Sequence, residues 1–291
     1  MKIIPDLTAT GMRAALSGGF VPPDPVAPAA AGGTETVIVQ GEKFYRVHTF
    51  LSSGTLTVTN PGAFEALLVA GGGPGGSVGS GIISTAGGGS AGDVILQIVT
   101  LAVGTHTVTV GLGGVSTNDA TASPGDDTIG LGLTARGGGP GGARLVLPAD
   151  GGGGDLVNTS GAAHPTSFAG RDAAGDGPNR AGGGGRGSAG DGQNGNGSNG
   201  NGGDGGAATS NDINGTATDY GRGGGGGGRQ IGGAPNGATV TGDGQPGVNP
   251  GDGGGGATSQ FGDPQRTGGP GANGIVIVRY EITQEEYDGA L

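Results

Sequence analysis

Three histidines, His48, His106 and His164, are the side chains best suited to acid–base work or metal ligation in this chain, and they lie far apart in sequence. His48 falls in EKFYRVHTFLS (42–52) and His106 in GTHTVTVGL (104–112), both β-branched segments. A satisfied or exposed sheet histidine is the expected role for each. There is no cysteine, which excludes thiolate chemistry and a disulfide framework. A phosphate loop needs Gly-Lys-Ser/Thr, and no lysine follows Lys43. Calcium nonapeptides need Asp at their sixth position. GGRGSAGDG (184–192) and GGDGGAATS (202–210) lack it, and GGPGANGIV (268–276) offers only Asn273. The many GxG spacings carry no weight without a strand and a helix around them. The expectation is a protein with no catalytic residue, no cofactor and no metal centre, hence not an enzyme.

What remains is the chemistry of recognition. Aromatic and arginine side chains gather in three segments between glycine runs: Phe168, Arg171 and Arg180 in 155–180; Ile213, Tyr220 and Arg222 in 210–222; Phe261 and Arg266 in 257–267. Aromatics and arginines concentrate interface energy, and an aromatic face suits the C–H surfaces of sugars. The competing reading makes Phe168, Tyr220 and Phe261 hydrophobic plugs. GGGGRGSAG and YGRGGGGGGRQ also suggest an RGG-type nucleic-acid binder. Against it, residues 137–274 hold seven Arg and no Lys against eleven Asp, with no aromatics interleaved as stacking platforms. The net charge of −11 and pI near 4.5 disfavour nucleic acid and anionic membranes. No apolar run approaches the ~18 residues of a membrane helix, so no membrane insertion is expected.

The elements that must position these residues are unusual, because 78 of the 291 residues are glycine. Residues 1–33 read as an arm. TGMRAALSG can form a short helix with Met12 and Leu16 on one face, and FVPPDPVAPAAAGG is extended and semi-rigid. The arm is either a free tail or an anchor that docks Met12, Leu16 and Phe20 on a partner. Residues 34–142 carry the strand signals TETVIVQ, EKFYRVHTFLS, GTLTVTN, AFEALLVA, DVILQIVTLA, GTHTVTVGL and DTIGLGLTAR. Thr55, Thr57 and Thr59 alternate with Leu56 and Val58, and Thr107 and Thr109 with Val108 and Val110, the period of a sheet with one wet face. These segments predict an antiparallel β-sheet or sandwich scaffold.

Residues 143–274 form the glycine-rich part, with runs that include 182–187, 195–206, 221–228, 251–256 and 268–274. The final segment, 275–291, is a strand, IVIVRYEI, followed by an acidic tail, TQEEYDGAL. That strand must bury Ile275, Val276, Ile277, Val278 and Tyr280, and the only other strands precede residue 142. The glycine-rich part is therefore predicted to be a closed, ordered excursion. Glycine runs can adopt an extended threefold helix rising ~3.1 Å per residue, whose N–H and C=O groups point sideways. Without Cβ atoms such helices approach closely enough to bond to one another in every direction, which satisfies the backbone. A bundle of polyglycine II-type helices is the predicted architecture for this part.

The blocks HTFLSSGTLTV (48–58), AFEALLVAGGGPGG (63–76), GGGSAGDVILQIVTLAVGTHTVTVGLGG (87–114), DDTIGLGLTARGGGPGG (126–142) and GANGIVIVRY (271–280) together resemble the glycine-rich domain of bacteriophage tail and appendage proteins. They are also similar to fibre-tip adhesins built on polyglycine II helices. The resemblance spans residues 44–281. It implies a virion structural protein of a tail fibre, tail tip or other appendage, whose loops attach to a glycan or protein of the bacterial surface. Its implied partners are other virion proteins and copies of itself, as in a trimer. A purely structural decoration or spacer fibre without receptor contact is the alternative.

Overall fold

A computed structural model describes residues 27–81, 83–117, 122–142, 181–196, 198–239 and 241–290. Met12, Leu16 and Phe20, and with them the helix expected in the arm, lie outside the described residues. The strands are β1 (Ala29–Ala31), β2 (Thr34–Gln40), β3 (Lys43–Phe50), β4 (Gly54–Asn60), β5 (Gly62–Val69), β6 (Ser84–Thr85), β7 (Val94–Leu101), β8 (Gly104–Thr109), β9 (Thr128–Gly130), β10 (Leu133–Ala135), β11 (Thr209–Asn211), β12 (Thr218–Tyr220), β13 (Thr258–Ser259) and β14 (Ile275–Ile282). A short helix, α1 (Gln284–Asp288), follows.

Two five-stranded antiparallel sheets, ordered β1-β4-β8-β9-β10 and β2-β3-β14-β5-β7, pack face to face. Their shared core joins Leu56, Val58 and Val108 of the first sheet to Phe64, Ala66, Leu68, Val276, Val278 and Tyr280 of the second. The alternation in β4 and β8 is that of the sequence: Leu56, Val58 and Val108 are buried, and Thr55, Thr57, Thr59, Thr107 and Thr109 are exposed. The last strand lies between β3 and β5, with Val278 opposite both His48 and Ala66. An unbroken apolar run suits a strand buried on both faces. Its even-numbered residues enter the shared core, while Ile275 and Ile277 enter a second core on the outer face of the sheet.

Four expectations change. DTIGLGLTAR is not one strand but the hairpin β9–β10, turning through Leu131 (φ 56°) and Gly132 (φ 80°). Two consecutive positive φ values define the tight hairpin turn whose twist matches the flanking strands, and Leu131 tolerates that conformation while burying its side chain in the core. TQEEYDGAL is not a plain tail, because Thr283 and Glu286 form a reciprocal capping box that starts α1. The arm is partly docked: β1 pairs with β4, and the Ala30 N–H donates to the Tyr280 hydroxyl at 3.2 Å. Finally, the division at residue 142 is not a division in space, since glycine runs from either side of it are bonded to each other.

The bonding within the glycine part follows a period of three. In run 71–76, the N–H groups of Gly72 and Gly75 donate to the carbonyls of Ala272 and Gly269, both at 2.8 Å. Those of Gly73 and Gly76 donate to Ser90 (2.8 Å) and Gly87 (2.9 Å), and that of Gly71 to Asp126 (3.1 Å). Three residues on from Gly71, Pro74 has no N–H to offer. The carbonyls are used likewise: Gly71 and Pro74 accept from Gly138 and Gly141, Gly73 and Gly76 from Gly254 and Ala257, and Gly72 from Gly114. One run thus touches six neighbouring segments, three through donors and three through acceptors, as an extended helix with three residues per turn requires. Run 87–92 repeats the scheme, donating in i, i+3 pairs to Gly142 and Gly139, to Gly183 and Arg186, and to Gly254 and Gly251. At many of their glycines no side chain fits between neighbours. A Cβ built on Gly72, Gly88, Gly185, Gly224 or Gly254 falls about 2 Å from a carbonyl oxygen of the next run.

Candidate recognition site at the loop end of the bundle

The runs leave the sheets and return in alternation. Run 71–76 continues from β5 and run 87–92 leads back into β7, with the turn between them at the end far from the sheets. The pairings of other runs keep this sense: 251–257 runs parallel to 71–76, whereas 267–272 runs antiparallel to it on the way to β14. The bundle therefore has a sheet end and a loop end.

At the loop end, separate segments are tied together. Val78 and Arg266 exchange main-chain bonds at 2.9 and 3.0 Å, and the Gly81 N–H donates to the Asp263 carbonyl at 2.9 Å. Strand β6 pairs with β13, and Gly242 with Thr258. Ser77 Oγ lies 2.8 Å from Ser116 Oγ and donates to the Thr117 carbonyl at 3.0 Å.

Phe261 sits on this frame. Gln260 to Asp263 form a β-turn closed by the Asp263 N–H donating to the Gln260 carbonyl at 3.1 Å, with Gly262 at φ 89°. A positive φ at the third position is what a type II turn demands and what glycine supplies. The Asp263 carboxylate braces the corner, accepting from the Thr241 hydroxyl and from the Gln260 N–H at 2.8 Å. These two bonds, Thr241 first, hold its carboxyl below the ordinary Asp range, with help from the charge of Arg266. The corner residue, Phe261, is left 82% exposed. Because the folded pKa is lowered, the brace is present above the ordinary carboxylate range and lost as pH falls through the folded value. Asp263→Asn is expected to raise the exchange rate of the Gln260 amide several-fold near neutral pH. Compared at the same pH, the difference between wild type and variant should close only on acidification.

The other expected site residues separate. Arg266 is half-buried, with its main chain pinned to Val78 and its Nε buried without a partner. It belongs to the frame of the loop rather than pairing with Phe261. Among the described residues the cation–π pair is Arg279 over Tyr45, 4.5 Å from the ring centroid. Ile213 and Tyr220 are not surface residues at all. Each is 1% exposed, packed in the hairpin β11–β12 against Val47, Leu67, Val69, Ile275 and Ile277. This hairpin is at the sheet end, where the outer face of the second sheet needs a cover. Arg279 Nη1 fixes it by donating to the Ile213 carbonyl at 3.2 Å. Arg222 lies beside it, its N–H on Asp252 Oδ1 at 2.7 Å and its Nη2 on Asp219 at 3.0 Å. Phe168, Arg171 and Arg180 lie outside the described residues. The loop end instead brings forward Ile231, 60% exposed at a turn bonded to residues 200–202. It is a lone apolar residue between two glycine runs, and that position was its only signal.

Among the described residues, His48 and His106 each face a main-chain carbonyl. Nδ1 of buried His48 lies 2.9 Å from the Gly32 carbonyl and so carries the proton. Burial pushes its pKa down, outweighing that bond. His106 Nε2 lies 2.9 Å from the Ala102 carbonyl, and His164 is outside the described residues. Among the described residues, no group of three or more His, Asp or Glu could hold a metal ion.

Fold and site together define an all-β sandwich that carries a backbone-bonded glycine bundle with a braced loop end. Residues 51–281 match the family model of the glycine-rich domain, and the chain belongs to that family. No curated protein matches the chain.

Proposed function

We propose that the chain is a structural protein of a bacteriophage virion, in a tail fibre, tail tip or other appendage, and that its loop end attaches to the host surface. The reading extends the resemblance of blocks 48–58, 63–76, 87–114, 126–142 and 271–280 to phage appendage proteins. The observation that supports it most is Phe261, a large aromatic held in water at a turn that a carboxylate braces. An exposed ring costs solvation and is useful where a ligand covers it, and a pre-ordered turn lowers the entropy of binding. The ring suits the C–H face of a surface sugar or an apolar spot on a surface protein. The partners are other virion proteins, which anchor the chain, and the bacterial surface.

Immunogold labelling of particles tests the location. Phe261→Ala tests the attachment: adsorption to host cells is expected to fall while the unfolding free energy changes by no more than a surface substitution does, about ±0.5 kcal/mol. Particles carrying Phe261→Ala that adsorb like wild type would favour the spacer reading instead.

A further inference from the structure

We infer that strand β7 is a self-pairing edge through which two copies of this chain join antiparallel about a two-fold axis. The two large sheets present four edges, β1 and β10 on one, β2 and β7 on the other. Exposed edges invite pairing with other chains, and proteins blunt them by shortening, bulging or charging them. Three of the four edges are blunted in these ways. Strand β1 has three residues and a register shift between Ala29 and Ala30. Strand β10 has three residues. Strand β2 carries a charge, Glu35, ion-paired to Arg46 of the adjacent β3 at 2.7 Å.

Strand β7 has none of these devices. Its eight residues, VILQIVTL, contain no charge, proline or glycine, and they pair with β5 in unbroken register from Val94 to Leu101. Its even-numbered side chains share the outer face of the sheet. Val94 is covered there by the second core, but Leu96 and Ile98 are 48% and 70% exposed. Among the described residues β5 is its only strand neighbour.

The occupant follows from charge and symmetry. A chain of net charge −11 repels its own copies, so self-association is easiest where a long surface has no charge. An antiparallel strand edge is its own complement: N–H and C=O groups alternate, and a two-fold rotation sets each against its partner. An axis near Gln97 places Leu96 beside Ile98 of the second copy and covers both on one face. The result is one continuous ten-stranded sheet. Because each copy has one such edge among the described residues, the stoichiometry is two, not the three of the fibre analogy.

Sedimentation of the full chain from micromolar to millimolar concentration tests the pairing. Wild type is expected to pass from monomer to dimer. Ile98→Lys, at an exposed position, should stay monomeric throughout with an unchanged melting temperature, and Val39→Lys on β2 should dimerise as wild type does. Amide exchange adds a second readout, with the outward amides of β7 losing protection on dilution. A wild type that stays monomeric, an Ile98→Lys chain that still dimerises, or β7 amides protected equally at every dilution would each overturn the inference.

Discussion

Valine at position 225 should cost the folded protein more than ~3 kcal/mol, the upper range for a single substitution. A Cβ there falls 1.9 Å from the Gly233 carbonyl oxygen and 2.4 Å from its carbon. Both belong to main chain, so no side chain can swing aside. The Gly225 N–H is also committed, donating to Asn236 Oδ1 at 2.9 Å, and its carbonyl accepts from Gly256. Moving Gly225 away from the segment 233–236 would break the bond to Asn236 together with the one from the Gly233 N–H to the Gly226 carbonyl. Gly139 is the matched control. It lies in run 137–142, and a Cβ on it meets nothing within 4 Å. Gly139→Ala should be neutral or stabilising by about 0.4–1 kcal/mol, because alanine restricts the unfolded chain more than glycine does. Urea denaturation of the pair gives the comparison, and equal midpoints would contradict a core made of main chain.

Tyr220→Ala is expected to destabilise by about 3–5 kcal/mol, as for truncation of other buried aromatics. The ring is part of the apolar patch that closes the outer face of the second sheet, with Ile213 beside it in the same hairpin. Losing it opens a cavity over Val47, Leu67 and Ile277 and loosens the cover as a whole. Thermal melting of Tyr220→Ala beside Phe261→Ala separates a packed aromatic from a displayed one. Equal melting points for the two would mean that the hairpin is not the cover it is drawn to be.

The contrast between these two aromatics marks where the sequence is legible. Leu56, Val58 and Val108 alternate with threonines, so their strands could be read directly. The need of Ile275 to Val278 for a sheet implied that the glycine-rich part returns to the scaffold, and in the described residues from 181 onward it does. Tyr220 and Ile213 gave no such signal. They are isolated, at no regular spacing, and the strands they cover are far away in sequence. Even their end of the bundle was hidden, because 195–206 reads as one glycine run. It is a hairpin: Asn196 and Asn201 exchange main-chain bonds at 2.8 and 3.2 Å, and Gly200 turns the chain at φ 68°. Counting it as one run reverses the direction of the chain after it. That places 210–222 at the loop end instead of under the sheet. The turn at Phe261 fared better, since Gly262 and Asp263 are turn residues by type.

The six-neighbour bonding of runs such as 71–76 also sets how stability changes with temperature. Ordinary unfolding exposes mostly apolar surface and raises the heat capacity by about 12–15 cal/mol/K per residue, whereas newly wetted polar surface lowers it. Unfolding the glycine bundle exposes peptide groups and little hydrocarbon. Its contribution to the heat-capacity change is therefore small per residue, and the curve of free energy against temperature is shallow. Such a protein loses little stability in the cold, where hydrophobic cores weaken.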